Sequence, residues 1–230
     1  MCTLTWRRDK STGLEVYFNR DELKTRPVAE EPQVRNEGGV SFLSPRDPRG
    51  GGTWMLVNEH GLLICLLNKW ELEKVALREP NSRKSRGQLV WSMAQVSEFG
   101  EIEGFLGDLG TYPAFTLVAF SDEEERCWEW DGVELSGRRP QMPLTSSSYR
   151  FEDVRAARAS QFLDGLRGRA YHAAVNQEAS AYSVRMCRPD AQTWSRSVVR
   201  VGEKVSWEYL AEQPELDGEP QRTFVELARR

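Results

Sequence analysis

Strict alternation through residue 19 constrains this chain more than any other feature. Cys2, Leu4 and Trp6 alternate with Thr3, Thr5 and Arg7, and Leu14, Val16 and Phe18 alternate with Glu15, Tyr17 and Asn19. A period of two belongs to a strand with one buried face. The connecting Arg8-Asp9-Lys10-Ser11-Thr12-Gly13 is charged and closed by glycine, which makes it a turn. Pairing the two strands antiparallel about Ser11 or Thr12 puts Cys2 opposite Arg20 or Asp21.

That register gives position 2 a chemistry. Cysteine is small enough for the initiator Met1 to be removed before it, and Cys2 then carries a thiol and a free α-amine on one residue. An unperturbed α-amine titrates at roughly 7.7–8.0 and a thiol at about 8.5, so the amine can serve as base toward the thiol, as in an N-terminal nucleophile. A guanidinium at Arg20 favours thiolate over thiol. The Asp21 carboxylate holds either the Arg20 fork or the α-ammonium. The plain alternative is a surface hairpin in which Cys2 is an ordinary strand residue.

Met1-Cys2, the run Asn19-Arg20-Asp21-Glu22 after the hairpin, Arg26-Pro27, Gly51-Gly52-Thr53-Trp54 and Ser85-Arg86-Gly87 together resemble the NRDE family, which includes transport and Golgi organisation protein 2. The resemblance spans most of the chain and marks Asn19, Glu22, Gly51, Gly52, Thr53 and Trp54 as motif or binding positions beside Cys2, Arg20 and Asp21. It also implies kinship with N-terminal-nucleophile hydrolases of the cholylglycine hydrolase and penicillin V acylase group, which open with Cys and place Arg and Asp similarly. The architecture it implies is a single α+β domain over residues 1–230, a four-layer αββα sandwich with two antiparallel sheets face to face and helices outside. Residues 211–230, punctuated by Pro214, Gly218 and Pro220, are expected as a peripheral tail that rejoins the body at Thr223 to Ala228.

Between these anchors, Leu23 to Pro32 reads as a loop or short helix and Val40 to Leu43 as a short strand. The turn Asn58-Glu59-His60-Gly61 joins a strand starting at Thr53 to the apolar run Leu62 to Leu67, and hairpin symmetry sets Asn68 beside Gly51-Gly52. Glycines there let a substrate or a neighbouring backbone approach closely. In the hydrolases that the chain resembles, an Asn-containing segment after the matching strand helps form the oxyanion hole, which makes Asn68 the candidate for that role. On its own, an Asn at a strand end is equally an ordinary turn former.

Glu71 to Gln88 reads as a mobile loop, and Leu89 to Leu109 as a helical stripe split by Gly100, Gly104 and Gly107. Strands follow at Tyr112 to Phe120, Arg126 to Trp130 and Val133 to Leu135, with Trp128 and Trp130 on one face. A helix over 151–166 presents Val154, Ala157, Phe162 and Leu166 to the core, and strands return at Tyr182 to Cys187, Thr193 to Val201 and Lys204 to Leu210. Ser146 stands where the resembled hydrolases carry an Asn that donates to the oxyanion; its other reading is a helix cap. Loss of one oxyanion donor costs on the order of 2.7–4 kcal/mol, so the Asn-to-Ser exchange bears on activity. Related hydrolases use an Arg late in the chain, and Arg185 is the candidate for a substrate-facing cation.

Composition narrows the functional classes. A net charge of −4 with interspersed signs offers no basic field for nucleic acid. The longest apolar run, Leu62 to Leu67, is far short of the roughly 18 residues of a membrane span. Four cysteines without CxxC spacing suit a reducing cytosol, and Arg7 to Lys10 fall where a signal peptide would be apolar. His60 and His172 have no metal-ligand spacing, so no metal or resident cofactor is expected. The expected protein is cytoplasmic, takes a small-molecule amide, acyl or haem-like ligand, and uses Cys2 to hydrolyse a non-peptide amide. The alternative is a non-catalytic protein of the same fold that binds or carries haem or lipid, ligands linked to relatives of the Golgi organisation protein. The sequence leaves the oligomeric state open.

Overall fold

The computed structural model describes residues 1–11, 13–70, 84–176 and 180–230. β1 (Cys2–Asp9) and β2 (Gly13–Leu23) form the opening hairpin, with Cys2 opposite Arg20 and Leu4 opposite Phe18. Cys2, Leu4, Trp6 and their partners Arg20, Phe18 and Val16 therefore share one face. Gly13 at φ +78° closes the turn in a backbone region where a side chain would be strained.

The next seven strands build one antiparallel sheet in chain order. They are β3 (Glu30–Glu37), β4 (Val40–Arg46), β5 (Met55–Asn58), β6 (Leu63–Asn68), β7 (Phe115–Phe120), β8 (Glu125–Trp130) and β9 (Leu135–Arg138). Between β6 and β7 the chain forms α1 (Arg86–Ser92) and α2 (Phe99–Phe105), whose Leu89, Val90 and Ile102 pack on Leu56, Ile64 and Leu117 of the outer sheet face. β10 (Leu144–Ser146), α3 (Phe151–Leu163), α4 (Gly168–His172), β11 (Ala191–Val201), β12 (Lys204–Ala211) and β13 (Gln221–Ala228) complete the molecule. The second sheet has the order β10-β1-β2-β11-β12-β13.

The two sheets bury a shared apolar layer in which Leu4, Val16 and Phe18 of one meet Met55, Leu63 and Cys65 of the other. Each such side chain contributes about 1.5–3 kcal/mol when fully removed from water. Helices cover both outer faces, giving the αββα sandwich. The layer beneath α3 and α4 differs from the rest: Thr3, Thr5, Asn19 and Asp21 of the sheet are buried there against Arg158 and His172. Among the described residues no helix is long and apolar enough to cross a membrane.

Several local expectations change. Of the stretch Leu23 to Pro32, read as loop or short helix, Glu30 to Pro32 open strand β3, an edge strand and so able to carry Pro32. The stripe from Leu89 to Leu109 is two helices broken after Met93, and Gly100 and Gly104 lie inside α2 rather than between helices. Of the loop expected over 71–88, residues 71–83 lie outside the described residues and Arg86 to Gln88 open α1. β9 starts at Leu135, where Val133 to Leu135 was expected. Tyr182 to Cys187 makes no ladder beyond a single bridge from Cys187 to Gln192. The core-facing residues of α3 are Val154 and Arg158, and Leu166 is exposed beyond its end. Within 211–230, β13 pairs residue for residue with β12 as the outermost strand.

Candidate active site

Three adjacent strands set the site. β10 pairs with β1 so that Ser146 stands opposite Cys2, and β2 sets Arg20 opposite Cys2 from the other side. Directly opposed residues face the same way, so Ser146, Cys2 and Arg20 form a row at the mouth between the sheets. Cys2 and Arg20 line a cavity of about 620 Å³ together with Trp54 and Asn68. The Arg20 guanidinium lies 4.4 Å from the centroid of the Trp54 ring, a cation–π contact, and 3.9 Å from a Glu22 oxygen.

The far wall explains why separated motifs belong together. Asp47 N donates to Gly52 O at 2.8 Å and Gly51 N donates to Asp47 O at 2.8 Å, closing a tight loop in which Gly51 has φ +70°. The Asp47 carboxylate is ion-paired with Arg26. A Cβ on Gly52 would stand 2.1 Å from the Gly87 carbonyl carbon, and Thr53 N donates to Gly87 O at 3.0 Å. Thr53 Oγ1 donates to Met55 O at 2.9 Å. Arg26, Gly51 to Trp54, and Gly87 thus build one wall, which holds Trp54 under Arg20.

Around Cys2, burial dominates. Burial pushes the thiol above its ordinary value; the terminal ammonium pulls it down, Asp21 pushes it up and Arg20 pulls it down. The net result is a protonated thiol near neutral pH, which needs a base to become a nucleophile. The Met1 ammonium donates to the Asp21 carbonyl at 2.8 Å, and Asp21 N donates to Met1 O at 2.9 Å. The Met1 side chain is buried with Met186 and Ala191.

Asp21 and Asn19 work on the opposite face from Cys2. The Asp21 carboxylate, expected on the Arg20 fork or the ammonium, accepts instead from both Arg158 terminal nitrogens at 3.1 Å and from Thr193 Oγ1 at 2.7 Å. The reason is strand alternation, which sends neighbours of Arg20 to the other side. Asn19 donates to the carbonyls of His172 at 3.0 Å and Val184 at 2.9 Å. It is a tie between layers. Arg158, missed in the sequence, left little signal: a charged residue in a helix ordinarily marks the solvent face.

Asn68 ends β6 opposite Phe115 and borders both the Cys2 cavity and a neighbouring one of about 700 Å³, whose lining includes Ser146. Ser146 ends a strand rather than capping a helix; the N-cap of α3 is Arg150. Its hydroxyl is buried and, among the described residues, unpartnered. Arg185 is ion-paired with Glu212 at 2.7 Å and is not among the residues that line the Cys2 cavity. Trp128 and Trp130 pack in the apolar layer beneath α2 and line no part of the Cys2 cavity.

The family model described as Transport and Golgi organisation 2 matches residues 1–137. Among functionally curated proteins none matches the sequence. A mutant of the conjugated bile acid hydrolase from Clostridium perfringens superposes with a TM-score of 0.59 at 13% identity, covering 99% of this chain and 92% of that one. A second variant of that hydrolase gives 0.52 at 12% identity, over 97% and 92%. The Caenorhabditis elegans ortholog of N-acylethanolamine-hydrolyzing acid amidase gives 0.55 at 8% identity, over 86% and 92%. At these identities the likeness is one of fold, the sandwich of N-terminal-nucleophile hydrolases.

Proposed function

The chain belongs to the Transport and Golgi organisation 2 family, and from that premise we propose that it is an N-terminal-nucleophile hydrolase that uses Cys2 to cleave a small-molecule, non-peptide amide. The observation that carries this reading is the row of Ser146, Cys2 and Arg20 across three strands, with Cys2 and Arg20 lining one cavity, Ser146 lining its neighbour and Asn68 bordering both. Removal of Met1 transfers the free α-amine to Cys2. The neutral amine takes the thiol proton as sulfur attacks the amide carbon, and the carbonyl electron pair moves onto oxygen. Asn68 and the unpartnered Ser146 hydroxyl donate to that oxyanion. The pair returns, the C–N bond breaks, and the departing amine takes the proton from the α-ammonium. Water, deprotonated by the same α-amine, then attacks the thioester and releases a carboxylic acid and the thiol. Arg20 lowers the cost of the thiolate, and Asp21 serves through Arg158, which ties β2 to α3.

Intact mass before and after incubation with a reactive acyl ester tests both requirements. The expected protein lacks the mass of methionine and gains one acyl group, and Cys2→Ala gains none. Acylation undiminished in Cys2→Ala, or a folded protein that retains Met1 and never acylates, sinks the mechanism. A second reading, haem or lipid binding on the same fold, draws on a lining that pairs Trp54 and Trp70 with the cations Arg20, Arg26 and Arg49, suited to an apolar ligand bearing acid groups. Saturable haem binding by Cys2→Ala, with no acyl adduct on the native chain, would favour it.

A further inference from the structure

Among the described residues no strand pairs with the outer edge of β13, which ends the six-stranded sheet and carries few of the devices which usually prevent edge-to-edge pairing. All eight of its residues pair with β12 without a bulge, and the strand contains neither proline nor glycine. Thr223, Val225 and Leu227 turn inward, while Arg222, Phe224 and Glu226 turn outward and are exposed, Phe224 at 57%. The helices α3 and α4 pack at the other end of the sheet, on β10, β1 and β2.

We propose that this edge binds a second copy of the chain, β13 against β13 antiparallel, to form a twofold dimer with one continuous sheet and its axis at Phe224. Ladder geometry restricts the choices. Alternate residues of an antiparallel strand direct their N–H and C=O groups to opposite sides, so one alternate set serves β12 and the other is left for the open edge. A twofold pairing brings free groups to free groups only when the axis passes through a residue. An axis between residues would oppose an outward-directed residue to one already engaged with β12.

Charge then selects among the allowed registers. With the axis at Phe224, Arg222 of each copy lies opposite Glu226 of the other, twice by symmetry, and the two Phe224 rings meet on the outer face. An axis at Arg222 or Glu226 opposes like charges. An axis at Thr223 sets Phe224 against Arg222, and one at Val225 sets Phe224 against Glu226. The partners of these charges within the chain do not compete strongly: Arg222 is 3.5 Å from Glu208 and Glu226 is 3.9 Å from Lys204, loose pairs in which Arg222, Glu226 and Lys204 are exposed.

Sedimentation of the full chain over a micromolar concentration range tests the proposal. The native chain is expected as a reversible dimer. R222E and E226R each place like charges at both symmetric contacts and are expected to weaken dimerisation by roughly tenfold or more. An equimolar mixture of the two variants regains two complementary pairs and is expected to dimerise again, as is the double variant R222E/E226R. Recovery in the mixture separates interface loss from misfolding, because a misfolded chain would not be rescued. A native chain that stays monomeric, single variants that dimerise as the native chain does, or a mixture that remains monomeric overturns the proposal.

Discussion

Asp21 is bound to Arg158 with both side chains fully excluded from water, and that pair shows how one residue can belong to a site without facing it. Its backbone grips Met1 on one side of β2, while its carboxylate holds α3 on the other through Arg158, which also donates to Thr3 at 2.6 Å and to the Ala181 carbonyl at 3.1 Å. Removing one member of such a pair leaves an uncompensated buried charge, whereas replacing both with apolar groups is often close to neutral. Asp21→Asn is therefore expected to lower stability by about 3–5 kcal/mol, and Asp21→Leu combined with Arg158→Met by less than Asp21→Asn alone. Urea denaturation of the three proteins checks the order. An Asp21→Asn chain as stable as the native one would mean that the contact does not anchor α3.

Elements differed in how plainly the sequence announced them, and the differences have physical causes. The β1–β2 hairpin and its register were legible because a period of two ties each residue's face to its partner: a slip by one residue would turn Leu4 and Trp6 outward. The pairing of Cys2 with Arg20 followed from that, but the direction of Asp21 required counting one further residue along the same strand. β10 was missed because three residues are too few to show a period. β3 was missed because Glu30, Glu31 and Pro32 do not read as a strand, although an edge tolerates them. At the candidate site the glycines were legible as places of close approach, while what approaches was not. Gly52 meets the backbone of Gly87, 35 residues onward (87 minus 52). Gly52→Ala must push that wall and α1 apart, at an expected cost of about 1–3 kcal/mol, and it should move Trp54 from beneath Arg20. A fall in melting temperature with a changed tryptophan emission is the expected result. An unshifted melt and spectrum would show that the two backbones part easily.

At the scale of the molecule, one outer layer is held by polar contacts rather than an apolar stripe, and that makes its stability depend on pH. His172 at the end of α4 is 3% exposed and stacks on Tyr17, with ring centroids 5.7 Å apart. Asn19 already spends its amide N–H groups on two carbonyls, so its oxygen accepts from His172 Nδ1 at 2.7 Å, and His172 Nε2 accepts from Thr5 Oγ1 at 2.8 Å. Burial pushes the imidazole down to about 3, with Arg196 and Arg158 adding to the effect. An unfolded histidine protonates near about 6.5, so between that pH and about 3 the unfolded chain binds a proton that the folded chain refuses. Stability is complete above the unfolded value and declines as pH falls, with a slope of up to about 1.4 kcal/mol per pH unit from this one group. Carboxylates titrate mainly below about 4.3, and the large downward shift of His172 makes it a leading contributor between about pH 6.5 and 5. His172→Gln, which retains a donor and an acceptor but no titrating ring, is expected to be less stable at pH 7 and to show a flatter decline across that interval. Urea midpoints at three or four pH values decide it. A variant with the same slope as the native chain would move the acid sensitivity elsewhere and leave His172 as packing alone.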